Sequence, residues 1–356
     1  MAITFDEGLC SIPAYPKADV YGAPEGVIIL SSNENPYPPS KKVIASIFDG
    51  LSSLNRYPEG EGRVRLLIAE RFAIEQDNIV LGNGSNEIIE LVLKALRHRE
   101  RGDVIVPHPS FPFYAIAARA HGYNVKACPL KGTKIDLDKV SELIDEKTRI
   151  IFLNNPHNPT GTILGKNEFV RFLEGLPEEI LVVIDEAYAE FVESEDFPKA
   201  ASYINTFPVF ALRTFSKAFG LAGLRIGYGI GSKEVVSFLS RVRQPFSVNS
   251  LAIRAACAAL EDEAHFERVV KSVIKGRRYL SRWLAELGIE FVKSEANFLL
   301  VKLGDEAERI QKELLNRNLA VRWMGAYGLG AYVRVTVGRA EENKVFIDTL
   351  RELLQR

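Results

Sequence analysis

The 356-residue chain has little cysteine, no long uninterrupted hydrophobic run and almost no net charge, and each shortage closes off a class of protein. Its three cysteines, Cys10, Cys128 and Cys257, are odd in number, far apart and without CxxC spacing. That argues against a disulfide framework and fits thiols in a reducing compartment. No apolar run approaches the roughly 18 residues needed to span a bilayer. The opening MAITFDEGLC has neither the basic start nor the apolar stretch of a secretory signal. A cytoplasmic location with no membrane partner is therefore expected. Lysine and arginine number 45 against 46 aspartates and glutamates, with no basic stripe and no acidic tail. No nucleic-acid partner is expected, and local positive charge reads as site chemistry. A GxxxxGK[ST] loop, an internal repeat and a low-complexity tract are also missing, and no metal is expected.

What is present is a large core. Apolar residues make up 47% of the chain, and its length suggests two domains, one large and one small. Continuous apolar runs recur from residue 78 to 230: Ile79–Leu81, Val104–Val106, Ile150–Leu153, Ile180–Ile184, Val209–Leu212 and Ile226–Ile230. Such runs mark strands buried on both faces, as in a parallel sheet sandwiched by helices. Between the first two, Ile88, Leu91, Val92, Ala95 and Leu96 repeat at helical spacing. The expectation is an α/β fold with a large, doubly wound, mostly parallel sheet domain over residues 36–245. A smaller α+β domain follows over 246–356, with a helical stretch stopping at Gly288, short strands near 297–301 and 331–337, and a closing helix. Residues 1–35, rich in proline and glycine, read as a loose arm associated with the small domain.

The chemistry sits at the strand ends. Thr214-Phe215-Ser216-Lys217 leaves the Val209–Leu212 strand, and Arg225 stands eight residues past the lysine. A lysine with two nearby hydroxyls and an arginine suits an amine held beside a phosphate. Lysine forms a Schiff base with a carbonyl when its surroundings lower its pKa, and a cofactor with both an aldehyde and a phosphate is pyridoxal phosphate. Gly82-Asn83-Gly84-Ser85-Asn86-Glu87 joins a strand to the amphipathic helix, where backbone N–H groups and the helix dipole favour an anion. The same loop also reads as a plain helix cap through Ser85 or Asn86. Glu87 occupies the place of the third glycine in a dinucleotide fingerprint, which disfavours that ligand.

Asp185, ending the Ile180–Ile184 strand, is costly to bury unless paired, and a protonated pyridine nitrogen is a suitable partner. A capping aspartate is the other reading. Tyr188 can point its hydroxyl the same way, while Glu186 reads as solvated or structural. Asn158, in the Asn154–Gly161 turn, can present its amide to a ring oxygen. His157 beside it reads as a packed or solvated turn residue, since no carboxylate orients it. Phe111 and Tyr114 follow the Val104–Val106 strand as stacking candidates or as core. All these loops fall after successive strands, where open α/β sheets bind ligands.

With these blocks the chain resembles the fold type I pyridoxal-phosphate aminotransferases, and among them the histidinol-phosphate branch. The resemblance runs through SNENPY at 32–37, NRYPE at 55–59, GNGSNE, PHNPTG, DEAY and TFSKAFGLAGLRIGY. It continues through RQPFSVN at 243–249, EANF at 295–298 and the stretch from Gly325 to Gly338. It implies that Lys217 bonds the cofactor aldehyde and then moves the substrate proton. Asp185 would pair with the ring nitrogen, Asn158 and Tyr188 with the ring oxygen, and Phe111 would stack on the ring. Ser85, Asn86, Thr214, Ser216 and Arg225 would hold the phosphate, together with Tyr57 from a neighbouring subunit, so a homodimer is implied. Arg334 would grip a substrate acid group, with Arg322 a second candidate or an exposed, snorkelling side chain. Asn33 and Tyr15 would close over the substrate.

The reaction so implied converts L-histidinol phosphate and 2-oxoglutarate to imidazole-acetol phosphate and L-glutamate, a small amino donor exchanging with a 2-oxo acid. A threonine-phosphate decarboxylase and a broad or aromatic aminotransferase are the alternatives. Three departures bear on the substrate. The arm segment Ile12–Lys17 matches the family only in part. Pro38 stands where glycine is common, and His157 where asparagine is common.

Overall fold

Each of the six apolar runs between residues 79 and 230 is a strand of one seven-stranded sheet. A computed structural model describes residues 12, 15, 26–96 and 102–355. Cys10 and most of the arm expected over residues 1–35 lie outside the described residues. The strands of this sheet are β2 (Ile79–Gly82), β3 (Asp103–His108), β4 (Asn124–Pro129), β5 (Thr148–Asn154), β6 (Leu181–Asp185), β7 (Val209–Thr214) and β8 (Gly227–Ile230). Their order is β2-β8-β7-β6-β5-β3-β4. The pairs among β4, β3, β5, β6 and β7 are parallel, and β8 runs antiparallel between β7 and β2. Val182, Val183 and Phe210 are all buried, as a strand covered by helices on both faces requires. One apolar layer gathers Ile151, Ile184, Ala211 and Tyr228, the opposite layer Phe152, Val183, Phe210 and Leu212. The edge strand β4 alternates polar with apolar residues and therefore left no continuous hydrophobic run to notice.

A second sheet, ordered β1-β11-β12-β10-β9, contains β1 (Ile28–Leu30), β9 (Phe291–Val292), β10 (Phe298–Lys302), β11 (Leu319–Trp323) and β12 (Tyr332–Thr336). Residues 28–30 are not loose. They pair in parallel with β11, because Ile28–Leu30 has an apolar side to bury and β11 offers a free edge. Leu30 is 2% exposed in the core shared with Phe298, Val321 and Val335.

The eleven α-helices among the described residues are α1 (Lys41–Gly50), α2 (Glu61–Phe72), α3 (Gly84–Ala95), α4 (Phe113–Ala120), α5 (Leu137–Glu142), α6 (Lys166–Glu174), α7 (Lys233–Val242), α8 (Ser250–Leu260), α9 (Glu263–Glu286), α10 (Ala307–Asn316) and α11 (Ala340–Leu354). The long helical stretch after Ser250 is broken at Glu261, where Asp262 accepts a hydrogen bond from the His265 backbone and starts α9 afresh. Gly288, at φ +70°, lies just past its end in the left-handed conformation that closes helices. α8 does not pack with the small sheet. Its Ala252, Ala255, Ala256 and Ala259 lie against α1 and α2 in the core of the seven-stranded sheet, since small side chains let three helices approach closely.

Candidate active site

A cavity of about 450 Å³ opens at the carboxyl ends of the central parallel strands. Lys217 enters it from the loop after β7, and Asp185 from the end of β6. The Lys217 Nζ donates to the Ser32 carbonyl at 3.2 Å. Its backbone is fixed by the Asn35 amide, which donates at 3.0 Å to the carbonyls of both Lys217 and Ala218. Burial, with Arg334 and Arg225 as further positive neighbours, lowers the lysine to about 8, while Glu34 and Asp185 oppose the shift. At pH 7 about a tenth of this amine is unprotonated, far more than in an ordinary lysine, as a base or nucleophile needs.

Asp185 caps no helix. Its Oδ1 accepts from the Ala187 N–H at 2.9 Å and its Oδ2 from the Tyr114 hydroxyl at 2.6 Å. Burial raises its pKa, against the lowering effect of those hydrogen bonds and of Lys217 and Arg213. A cationic partner in the cavity would relieve that strain on the charged form. Tyr114 is fully buried and stacks on Phe152 at 5.1 Å while its hydroxyl bonds Asp185. Phe111 stays half-buried on the cavity wall, edge-on to Tyr114 at 5.3 Å.

One end of the cavity is built around α3. Asn83, not Ser85 or Asn86, occupies the N-cap position, and its backbone N–H donates to the Glu87 carboxylate. Ser85 and Asn86 are thereby left in the first turn, both lining the cavity. Glycines make the cradle. A Cβ on Gly84 (φ +75°) would sit 2.5 Å from Arg225 Nη2, and one on Gly227 would sit 2.7 Å from the Ser85 nitrogen. Thr214 Oγ1 accepts from the Ser216 N–H at 3.0 Å, and both side chains face the same hollow. Arg225, held at φ +56°, keeps its guanidinium exposed there, with Nη1 donating to the Ala222 carbonyl.

The five-stranded sheet reaches the cavity wall through Arg334 on β12, which bonds the lining residue Asn158 without itself lining the cavity. Its Nη1 donates to Asn158 Oδ1 at 2.6 Å and its Nη2 to the Ser31 carbonyl at 3.0 Å, while Nε is buried without a protein partner. Arg322 lies directly across from it in the β11–β12 register and is 8% exposed, so the snorkelling reading does not hold. The Tyr188 hydroxyl accepts from Asn33 Nδ2 at 3.1 Å, and burial pushes its pKa up to about 12. Asn33, at φ +53°, is pinned in turn by Thr336 and Asn297. Tyr15 lines the cavity mouth, edge-on to Phe111 at 6.3 Å.

Other candidates fall elsewhere. Tyr57 is 76% exposed, stacked on Phe246 at 4.6 Å, and lies outside the cavity lining of its own chain. His157 is a packed turn residue, bonded through Nδ1 to Thr160 and pushed down to about 3 by burial. Glu186 is fully buried and ion-paired with Arg213, which leaves only the structural reading. Reading the sequence missed Asn35, Glu34 and the Tyr114 bond to Asp185, the last signalled only by a tyrosine in an otherwise apolar segment. Among the described residues no acidic, histidine or cysteine cluster could hold a metal ion, and no helix is long and apolar enough to cross a membrane.

The model of the family described as aminotransferase class I and II matches residues 25–350. The chain belongs to the aminotransferase class I and II family. Family members use pyridoxal phosphate, and the cavity fits that group, with an amine of lowered pKa, a buried carboxylate and a glycine-lined anion cradle in one hollow. Histidinol-phosphate aminotransferase 2 of Pseudomonas fluorescens is 42% identical over 94% of this chain and 90% of its own length. The histidinol-phosphate aminotransferase of Sinorhizobium meliloti, solved in complex with pyridoxal-5'-phosphate, shares the family fold at TM-score 0.89, covering 99% of both chains at 24% identity. The L-threonine-O-3-phosphate decarboxylase of Porphyromonas gingivalis matches at TM-score 0.80 and 26% identity, over 93% of this chain and all of that one.

Proposed function

We propose that the chain exchanges the amino group of L-histidinol phosphate with 2-oxoglutarate, giving imidazole-acetol phosphate and L-glutamate, as a cytoplasmic homodimer. The observation that carries this is the Lys217 amine in one cavity with Asp185, in a chain 42% identical to a histidinol-phosphate aminotransferase along nearly its whole length. Ser85, Asn86, Thr214, Ser216 and Arg225 would hold the cofactor phosphate, Asp185 the ring nitrogen, Asn158 and Tyr188 the ring oxygen, and Phe111 one ring face. Pyridoxal phosphate, when bound, supplies an electron sink for the pair released from the substrate α-carbon.

The protein residues do the rest. Lys217 Nζ would take the proton from the substrate α-carbon and give it to the cofactor carbon that bore the aldehyde, which its lowered pKa permits near neutral pH. Asp185, in its charged form, keeps a positive partner protonated. Arg334 presents a guanidinium already fixed by Asn158 and Ser31, suited to a carboxylate or phosphate. Arg322, Asn33 and Tyr15 would bound the substrate at the small-sheet end. The homodimer is supported by an exposed apolar strip of Ile44, Phe48, Leu51 and Leu54 that leads to Tyr57 and Phe246. Tyr57 would serve the neighbouring subunit's phosphate site from there. We place the domain division after α8, which packs with the large sheet.

Adding histidinol phosphate to the purified, cofactor-loaded protein should discharge its visible absorbance, and 2-oxoglutarate should restore it. Release of carbon dioxide from threonine phosphate, with histidinol phosphate inert, would favour the decarboxylase reading that the P. gingivalis neighbour keeps open.

A further inference from the structure

Behind the cavity floor, three charged side chains that the proposed reaction does not use are buried together. Glu186 is fully buried, Arg213 is 6% exposed, and the Glu190 side chain is 8% exposed. Arg213 Nε and Nη2 donate to Glu186 Oε2 at 2.9 and 2.8 Å, and its Nη1 donates to Glu190 Oε1 at 2.8 Å. Glu186 Oε1 accepts from the Ala200 N–H at 2.8 Å. The guanidinium also lies over the Phe72 ring at 5.0 Å and opposite Tyr228 on the next strand.

Its place in the strands is telling. Asp185 pairs in register with Leu212, so Glu186 and Arg213 come one residue later on the adjoining strands. Side chains alternate along a strand, and Asp185 and Thr214 line the cavity while Arg213 and Glu190 line a separate hollow. The Glu186 N–H also donates to the Leu212 carbonyl at 2.9 Å, extending the ladder past Asp185. Burying three charges is a poor way to stabilise a sheet, because desolvation offsets the attraction. A planar guanidinium with a carboxylate on each edge is a good way to fix two strand ends against one another.

We propose that Arg213, clamped by Glu186 and Glu190, is a positioning residue for the reaction: it sets Asp185 against Thr214 and carries a fixed positive charge on the side of Asp185 away from the cavity. This rests on the reading of the cavity as a pyridoxal-phosphate site. Two carboxylates and one guanidinium sum to a single negative charge. Glu190→Gln makes the group neutral, and Arg213→Gln makes it doubly negative.

The test is a pH titration of the visible absorbance of the cofactor-loaded protein, for wild type and both variants. Lys217 is faced by Arg334, Glu34, Arg225 and Asp185, Asp185 by Tyr114, Lys217 and Arg213, and the triad by Tyr228 and Arg71. None of the others changes. The midpoint should fall in Glu190→Gln and rise in Arg213→Gln, each by roughly half a pH unit. Shifts of one sign, or none, would overturn the proposal and leave the triad a stabilising device only. Should Arg213→Gln fail to fold, Arg213→Lys keeps the charge and loses the fork. Its midpoint should match wild type while cofactor binding weakens about tenfold, and unchanged binding would overturn the positioning role. A wild-type protein that stays colourless with excess cofactor sinks the cavity reading itself, whereas a coloured wild type with unmoved variants sinks only this inference.

Discussion

The two sheets serve one cavity in different ways. The seven-stranded sheet delivers Asp185 and Thr214 from strand ends, Lys217 and Asn158 from the loops after strands, and Ser85 from a helix's first turn. Some of their bonds are local, Ala187 to Asp185 and Ser216 to Thr214, but Tyr114 also holds Asp185, and Ser32 and Asn35 hold the lysine and its loop from far along the chain. The five-stranded sheet carries Arg334 and Arg322 at mid-strand, Arg334 reaching the cavity wall through Asn158, and the surroundings come from far along the chain. Arg334 is held by Ser31 and Asn158, and Asn33 by Thr336 and Asn297. The lesson is that the large sheet's residues sit on turns with local bonds of their own and gain a few distant ones, whereas the arginine end exists only once distant segments have met.

That contrast can be broken at several points. Lys217→Ala should cost at least about 10⁴-fold in turnover, since both proton transfer and covalent attachment rest on one nitrogen. A fully active variant in steady-state assays would end the argument for the cofactor end. Asp185→Asn should cost about 10³-fold while the protein stays folded, because the amide cannot hold a positive partner. Arg334→Lys should lower kcat/KM about 10²-fold, mainly through KM, because an ammonium cannot replace the two-pronged grip. An equal loss in kcat alone would place Arg334 with the proton-transfer chemistry instead. Phe48→Asp should yield monomers in sedimentation and, by removing the partner's Tyr57, a loss in activity of about tenfold; dimers of undiminished activity would discard the exposed strip as an interface.

The smallest effect concerns stability. Lys217 has a folded pKa near 8 against its ordinary 10.5, so between those values the unfolded chain binds more protons and stability rises with pH. Below pH 8 the cost of burying the ammonium is fully present. In the cofactor-free protein, Lys217→Met should therefore raise stability below pH 8 by roughly 1–3 kcal/mol. The gain should fade as pH climbs toward 10.5. Urea unfolding at pH 7 and pH 10 measures this, and a gain independent of pH would show that the lysine is not held in an unfavourable site.

Much of the large sheet could be read directly, because strands buried on both faces leave unbroken apolar runs such as Ile150–Leu153. β4 escaped notice for the opposite reason: at the sheet edge only its Cys128 is buried, and Asn124 and Lys126 interrupt the apolar residues. At the site, residue types in strand-end loops pointed to phosphate, ring and amine. They did not reveal that Tyr114 turns its hydroxyl onto Asp185, or that Asn35 anchors the lysine loop across 182 positions of sequence. Nor did they place Arg322 inside, since an arginine in a short strand reads equally well as surface.

Order along the chain determined the alternation of strand and helix, the glycines where a Cβ would collide, and the side chains able to do the chemistry. Those follow from local sterics and from hydrophobic periodicity, which act between near neighbours. Tertiary structure alone decided which groups are charged, which are buried and which meet. The Lys217 amine is lowered, Arg334 reaches Asn158, and Arg213 sits clamped behind Asp185 only because folding removes water and brings distant charges together.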